Sequence, residues 1–344
     1  MALHPDRGRA GRAGFLPART VHLHPLDRCN LACSHCYSGS SPQKSTILPV
    51  APLIEALPAL RREGYEVISL SGGEPLLYPH LPALLAAAAE QGFRTAAITN
   101  GFRVAPRHRD LIGKLDRIAV SFDGLEALHN RIRGNPQAWD RAIQALRYLA
   151  EIGRPGAVAF TVSPASLAEV PDFVELCAGL GVRSVQLRPL VMAGRAPEAA
   201  ADLALGPADA LRLWLMARTL ALAWAGEVDI HVDLAPAEHL AADTGAWDLA
   251  LRGGDEPLLS DLANPLVITP EGRLRPYTYD FPPEYDLGQL GDLHPARRVW
   301  IEGGLPRLRH LLARSLQAVA LEDGVIDWFA YQRDQARARH RVPA

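Results

Sequence analysis

Cysteine is scarce in this chain: four residues in 344 carry a thiol. That is too few for a disulfide framework, and three of them, Cys29, Cys33 and Cys36, fall in one short stretch. Charge imbalance is missing as well. The 36 Lys and Arg nearly cancel the 38 Asp and Glu, giving a formal net charge of -2, so there is no global electrostatic case for nucleic acid or an anionic membrane. No apolar run reaches the roughly 20 residues of a membrane span. The Arg-rich start (Arg7, Arg9, Arg12, Arg19) lacks the apolar core of a secretory signal. There is no internal repeat and no low-complexity tract. What is present is ordinary globular material, 48% hydrophobic and 22% charged, enough for one large or two modest domains. The expected location is the cytoplasm, where a local cysteine cluster means metal or redox chemistry.

Residues 1–14, rich in Gly, Arg and Ala, are expected to be disordered. Alternation predicts a strand over 20–26, with Val21 and Leu23 on one face and His22 and His24 on the other. The two histidines read as lumen-facing or ligand-touching groups rather than metal ligands. Further strands are predicted over 67–71, 94–100, 117–122, 157–162 and 184–190. Helices are predicted over 50–63, 80–91, 107–114, 138–152 and 167–180, with Pro58 expected to kink or break the first. Six strands alternating with helices imply a parallel sheet curled toward a barrel. The fold expected is α/β, a partial (β/α)6 TIM-like barrel, followed by a smaller α+β C-terminal extension. A doubly wound sheet would show the same alternation. The cysteine loop directly after the first strand favours the barrel, whose active sites lie at the C-terminal strand ends.

Beyond residue 190 the regularity fades. A linker is expected over 193–206, a helix over 207–224, a strand over 228–232, a hairpin around 266–274 and a helix over 308–321. Residues 235–262 are ambiguous. The basic stretch 333–341 reads as a solvated helix end rather than a contact for an acidic partner. The expected division is a core over 15–200 and an extension over 201–344.

Thiolates are soft ligands suited to zinc or iron–sulfur clusters. Structural zinc prefers four protein ligands. A site made from Cys29, Cys33, Cys36 and His35 is conceivable but cramped, and Cys177, in a predicted apolar helix, reads as a buried free thiol. The spacing C-x3-C-x2-C better suits a cubane cluster that leaves one iron without a protein ligand. Further motifs stand at strand ends: Gly72-Gly73-Glu74-Pro75 after the second strand, Thr99-Asn100-Gly101 after the third and Ser121-Phe122-Asp123-Gly124 after the fourth. A plain turn is the structural alternative for the first of these, and a surface salt bridge is the alternative for Arg133.

Cys29-x3-Cys33-x2-Cys36 resembles the signature of the radical S-adenosylmethionine (SAM) enzymes. The ordered set Gly72-Gly73-Glu74-Pro75, Ile98-Thr99-Asn100-Gly101, Val120-Ser121-Phe122-Asp123-Gly124, His129-x3-Arg133-Gly134 and Arg188-Pro189-Leu190 with Gly194-Arg195-Ala196 is similar to that of its peptide-maturase and haem-pathway branches. The resemblance covers roughly 20–196. It implies one [4Fe–4S] cluster on Cys29, Cys33 and Cys36, with SAM on the open iron. Gly72, Gly73 and Glu74 would meet the methionine ammonium, while Asn100, Ser121 and Asp123 would take ribose hydroxyls or the carboxylate. Arg133 and, more weakly, Arg188 would pair with that carboxylate, and His35 and Tyr37 would lie near adenine. An electron donor such as flavodoxin or ferredoxin is implied.

The sequence departs from the family in its extension. Residues 267–277 are similar to the opening hairpin of a SPASM-like extension, yet Tyr277 stands where a cysteine is usual, and no cysteine follows Cys177. A degenerate extension without an auxiliary cluster is therefore expected. That gives weight to redox-neutral outcomes: epimerisation, decarboxylation, elimination or C–C bond formation. An oxidation returning its electron to the one cluster is a further outcome. The expected substrate is a specialised metabolite (sugar, nucleoside or amino-acid derivative) or a ribosomal peptide. Alternatives are a haem-pathway enzyme and a non-catalytic zinc or iron–sulfur interaction protein.

Overall fold

The computed structural model describes residues 18–242, 257–293 and 299–338. The expectation of disorder over 1–14, part of the ambiguous stretch 235–262, and the end of the basic tail lie outside the described residues.

The six expected strands form at the places where short apolar runs meet polar turns. They are β1 (Thr20–Leu23), β2 (Val67–Leu70), β3 (Arg94–Thr99), β4 (Arg117–Phe122), β5 (Ala157–Val162) and β6 (Ser184–Pro189), each paired in parallel with the next. Parallel neighbours need crossovers. These are supplied by α1 (Val50–Arg62), α2 (Leu81–Glu90), α3 (Arg109–Gly113), α4 (Glu126–Arg133), α5 (Ala138–Glu151) and α6 (Val170–Gly179). α5 shows why such segments are helical: Ala142, Ile143, Ala145, Leu146 and Leu149 form one buried stripe, and the helix packs on β4. α1 runs on past Pro58. That ring lies on the exposed face, where water can serve the carbonyl one turn back that Pro58 leaves without a donor.

The sheet is larger than six strands. After α7 (Pro207–Ala223), β7 (Asp229–Val232) joins β6 in parallel. β8 (Leu266–Ile268) joins β1 in parallel on the other side, and β9 (Arg273–Pro276) and β10 (Gly288–Gln289) extend that edge as antiparallel strands. The order is β10-β9-β8-β1-β2-β3-β4-β5-β6-β7. The expected hairpin over 266–274 is thus β8–β9, built into the core sheet. β1 behaves as its alternation predicts: Val21 and Leu23 are buried in the hydrophobic core, while His22 and His24 face the interior cavity.

Two helices complete the chain, α8 (Val299–Val319) and α9 (Trp328–Ala338). Basic residues 333–338 are not a purely solvated end. Arg333 is buried and ion-paired to Asp280 at 3.2 Å and Asp334 at 2.9 Å. A guanidinium this buried needs such partners. No helix among the described residues is long and apolar enough to cross a membrane.

Candidate active site

The C-terminal ends of the strands open into one cavity of about 730 Å³. The loop after β1 brings Cys29, Cys33 and Cys36 to its wall, with His35 and Tyr37. Gly72, Gly73 and Glu74 enter from β2, Asn100 from β3, Ser121 from β4, Arg133 from α4 and Arg188 from β6.

The cysteine loop is held from several sides. Ser34 N donates to the Ile132 carbonyl at 2.9 Å and Glu74 N to the Arg28 carbonyl at 3.0 Å. A Cβ on Gly73 would fall 2.1 Å from the Arg28 carbonyl oxygen, so the β2 turn can approach the loop only as glycine. On the far side Arg195 acts as a clamp that sequence reasoning missed. Its backbone N–H donates to the Cys36 carbonyl at 3.0 Å, its Nε to the Cys33 carbonyl at 2.9 Å and its Nη2 to the Ser40 carbonyl at 2.8 Å. The preceding Gly194, at φ +58°, leaves only 2.3 Å between an ideal Cβ and the Cys36 carbonyl oxygen. The Gly-Arg pair at the sixth-strand exit was the available signal. Arg195→Gln is expected to lower stability by about 1–3 kcal/mol, the usual worth of charge-assisted bonds of this kind, and to speed amide hydrogen exchange over residues 29–40. Unchanged exchange there would refute the clamp.

Asp123 does not line the cavity, contrary to a direct ligand contact. It is fully buried and engaged by the protein. Arg133 Nε donates to its Oδ2 at 2.5 Å, Arg133 Nη2 to its Oδ1 at 2.9 Å, and His35 Nε2 to Oδ1 at 2.7 Å. Burial opposes the charge, but the Arg133 guanidinium, followed by His35, holds the carboxyl well below the usual range. As a pure acceptor, the carboxylate fixes the His35 proton on Nε2. His35 Nδ1 is buried and has no hydrogen-bond partner. The same carboxylate orients Arg133, whose Nη1 lies 4.0 Å from Cys33 Sγ.

Glu74 is buried and also committed locally. Oε1 accepts from Thr99 Oγ1 at 2.8 Å and Leu76 N at 3.1 Å, and Oε2 accepts from Asn100 N at 3.0 Å. The carboxylate thereby ties β2 to β3, and its remaining lone pairs are those left for a ligand. Asn100 reaches back to the cysteine loop, its Nδ2 donating to Asn30 Oδ1 at 2.9 Å and lying 3.8 Å from Cys29 Sγ. Tyr37 donates to or accepts from Ser71 Oγ at 3.0 Å. Its ring lies edge-on to His24, and His24 stacks on Tyr279 at 4.8 Å. Burial lowers the His24 pKa to about 3, so this imidazole is neutral. Arg188 Nε donates to Asp233 Oδ2 at 2.9 Å.

Comparison with known proteins agrees with this geometry. Residues 23–177 match the Radical SAM superfamily model. It is similar to pre-heme d1 synthase of Dinoroseobacter shibae (32% identity over 56% of this chain and 48% of the relative). It is also similar to sporulation killing factor maturation protein SkfB of Bacillus subtilis (28% identity, 54% and 45%). The chain spans about half the length of these curated relatives. Its fold is similar to anSMEcpe with bound AdoMet, with a TM-score of 0.64 at 14% identity over 86% of this chain and 83% of the other. It is also similar to Streptococcus suis SuiB bound to precursor peptide SuiA, with a TM-score of 0.61 at 16% identity, 85% and 64%. At such identities the likeness is one of fold.

Radical SAM proteins use a [4Fe–4S] cluster and SAM, and the residues here fit both. Three thiols open on one cavity. Among the described residues, no three His, Cys, Asp or Glu side chains are grouped to hold a single metal ion. Burial pushes the Cys29 thiol up to about 12, so a thiolate there needs a bound metal to stabilise it. The glycine turn and the unpartnered His35 Nδ1 give a ligand close backbone and a polar contact beside the thiols.

Proposed function

We propose that this chain is a radical SAM enzyme that modifies a ribosomal peptide or a small specialised metabolite at an unactivated C–H bond. Cys29, Cys33 and Cys36 hold the cluster, and SAM occupies its open iron. When bound, cluster and SAM supply a 5′-deoxyadenosyl radical by one-electron cleavage of the sulfonium. The chain's own residues bind, orient and exclude water. Gly72, Gly73 and the free lone pairs of Glu74 receive the methionine ammonium. Arg133, aimed by Asp123, faces the cysteine wall and is the cation for the carboxylate, with Arg188 a weaker second. Ser121 and Asn100 are the ribose contacts, and His35 and Tyr37 border adenine. Asp123 contributes by positioning His35 and Arg133. The segment over 201–344 caps the open barrel, and a flavodoxin- or ferredoxin-type protein delivers the electron.

The observation that carries this reading is the convergence of the three thiols, the Gly-Gly-Glu turn and the ends of β3, β4 and β6 on one cavity. With no cysteine after Cys177 in the sequence, redox-neutral outcomes are favoured. A peptide substrate is supported by the relative named as a maturation protein. A haem-type substrate is the second reading, supported by the pre-heme d1 synthase relative. The test is anaerobic reconstitution followed by SAM and a strong reductant. Formation of 5′-deoxyadenosine and methionine is expected. A colourless zinc-loaded protein that makes neither would overturn the enzyme reading.

A further inference from the structure

Residues beyond 200 add carboxylates to the cavity wall that the cofactor residues do not explain. Asp233 follows β7, and Asp327 immediately precedes α9; both line the cavity. Asp327 Oδ1 accepts the backbone N–H groups of Phe329 at 3.0 Å and Ala330 at 3.1 Å. That is a helix cap, and it uses one oxygen. Among the described residues Asp327 makes no direct ion pair; Arg188 and Arg333 lie near enough to favour its charge in part, but each is held by other carboxylates. Arg188 is engaged by Asp233, and Arg333 by Asp280 and Asp334. Burial raises the Asp327 carboxyl to about 6, and the nearby Asp233 charge adds to the rise. Asp327 is half-buried and lines the cavity, and a carboxylate withdrawn from water without a direct counter-ion is costly.

The surroundings are suited to a cation rather than to water. Trp214 on α7 and Phe329 line the same cavity, with Phe329 stacked on Tyr277 at 5.7 Å, and α7 packs against the short strand Val325–Ile326. Aromatic faces attract cationic nitrogen. Two further polar atoms in the wall have no partner, Nδ1 of the buried His24 and Oγ1 of Thr278. Both can accept an N–H.

We propose that this part of the cavity, formed by Asp327, Asp233, Trp214 and Phe329, binds a cationic nitrogen of the substrate, an ammonium or guanidinium group. The inference rests on the reading of the cavity as the substrate site. It narrows the substrate to an amine-bearing metabolite or a peptide presenting a basic group near the reacting carbon.

The test uses binding by the reconstituted, SAM-loaded protein without reductant. Three probes of equal shape are titrated by calorimetry and saturation-transfer NMR: phenethylammonium, 2-phenylethanol and phenylacetate. The cation is expected to bind at least about tenfold more tightly than either other probe, the worth of one charge-assisted bond. Asp327→Asn keeps the cap, because Asn caps as well as Asp, and is expected to abolish the preference; Asp327→Glu should retain part of it. Equal binding of the neutral or anionic probe by the wild-type protein would overturn the proposal. So would a preference that survives Asp327→Asn, which would make Asp327 a helix cap only. If Asp327→Asn does not melt as a folded protein, Asp327→Ser, which can also cap the helix, replaces it with the same expected loss. 5′-Deoxyadenosine formation by the wild-type protein is scored separately, so failure of the enzyme reading and failure of cation selectivity are distinguishable.

Discussion

Cys33→Ala is expected to fold normally and to lose its iron. Cys33 is 7% exposed, but its backbone is held by groups that do not involve sulfur. Arg195 Nε binds its carbonyl, and Ser34 N binds Ile132. Removing one sulfur from this site leaves a small void that costs about 1 kcal/mol or less by transfer arguments. The thermal midpoint should therefore move by only a few degrees. Iron should fall from about four per chain, the content of one cysteine-ligated cubane, to background. 5′-Deoxyadenosine formation should fall with it. A variant that retains iron and turnover would refute the ligand assignment.

Asp123→Asn is expected to be the most destabilising conservative change near the site. The carboxylate is buried and bonded to Arg133 through both oxygens. Amidation leaves the buried guanidinium without a counter-ion, and breaking a buried pair in this way costs about 3–5 kcal/mol. Urea unfolding measures it. The pH dependence follows from the sign of the shift. Asp123 is depressed in the folded protein, so its contribution is complete above the unfolded carboxyl value of about 3.9 and declines as pH falls toward the folded value. The gap between wild type and variant should be constant from pH 7 to 5 and narrow only in stronger acid. A gap below about 1 kcal/mol at neutral pH would show that the Arg133 charge is satisfied elsewhere.

The barrel strands were legible because buried parallel strands are short apolar runs that end at polar turns. The ends at Val67, Arg117 and Ala157 are set by residues next to one another in the chain. Which strands pair was less legible. β8 lies beside β1 in parallel although the two are far apart in sequence, and periodicity carries no information about such a partner. The site divides the same way. The cysteines and the Gly-Gly-Glu turn are local patterns and line the cavity as expected. Asp123 looked like a ligand contact because it stands at a strand end. Only the fold brings His35, 88 positions away, and Arg133 onto its two oxygens. Arg195 stands in a motif of the sequence, but its clamp role is not legible there, since it reaches carbonyls more than 150 positions back.

The hairpin beyond β8 is held at Tyr277. Tyr277, where a cysteine is usual in similar extensions, is buried, with φ 63°, a backbone region uncommon for a bulky residue. Its hydroxyl donates to the Leu262 carbonyl at 2.6 Å, and its ring packs on Phe281 and Phe329. The buried hydrogen bond and the aromatic packing together stabilise the hairpin. Two residues on, Tyr279 turns to the cavity and stacks on His24, so the extension contributes directly to the wall.

Iron and acid-labile sulfide per chain, measured on anaerobically reconstituted wild-type protein together with its Mössbauer spectrum, tests the central claim most directly. About four irons in a single cubane, one of them with a signal that changes when SAM is added, is the expected result. Zinc in place of iron, or eight or more irons per chain, would contradict a lone cluster held by Cys29, Cys33 and Cys36.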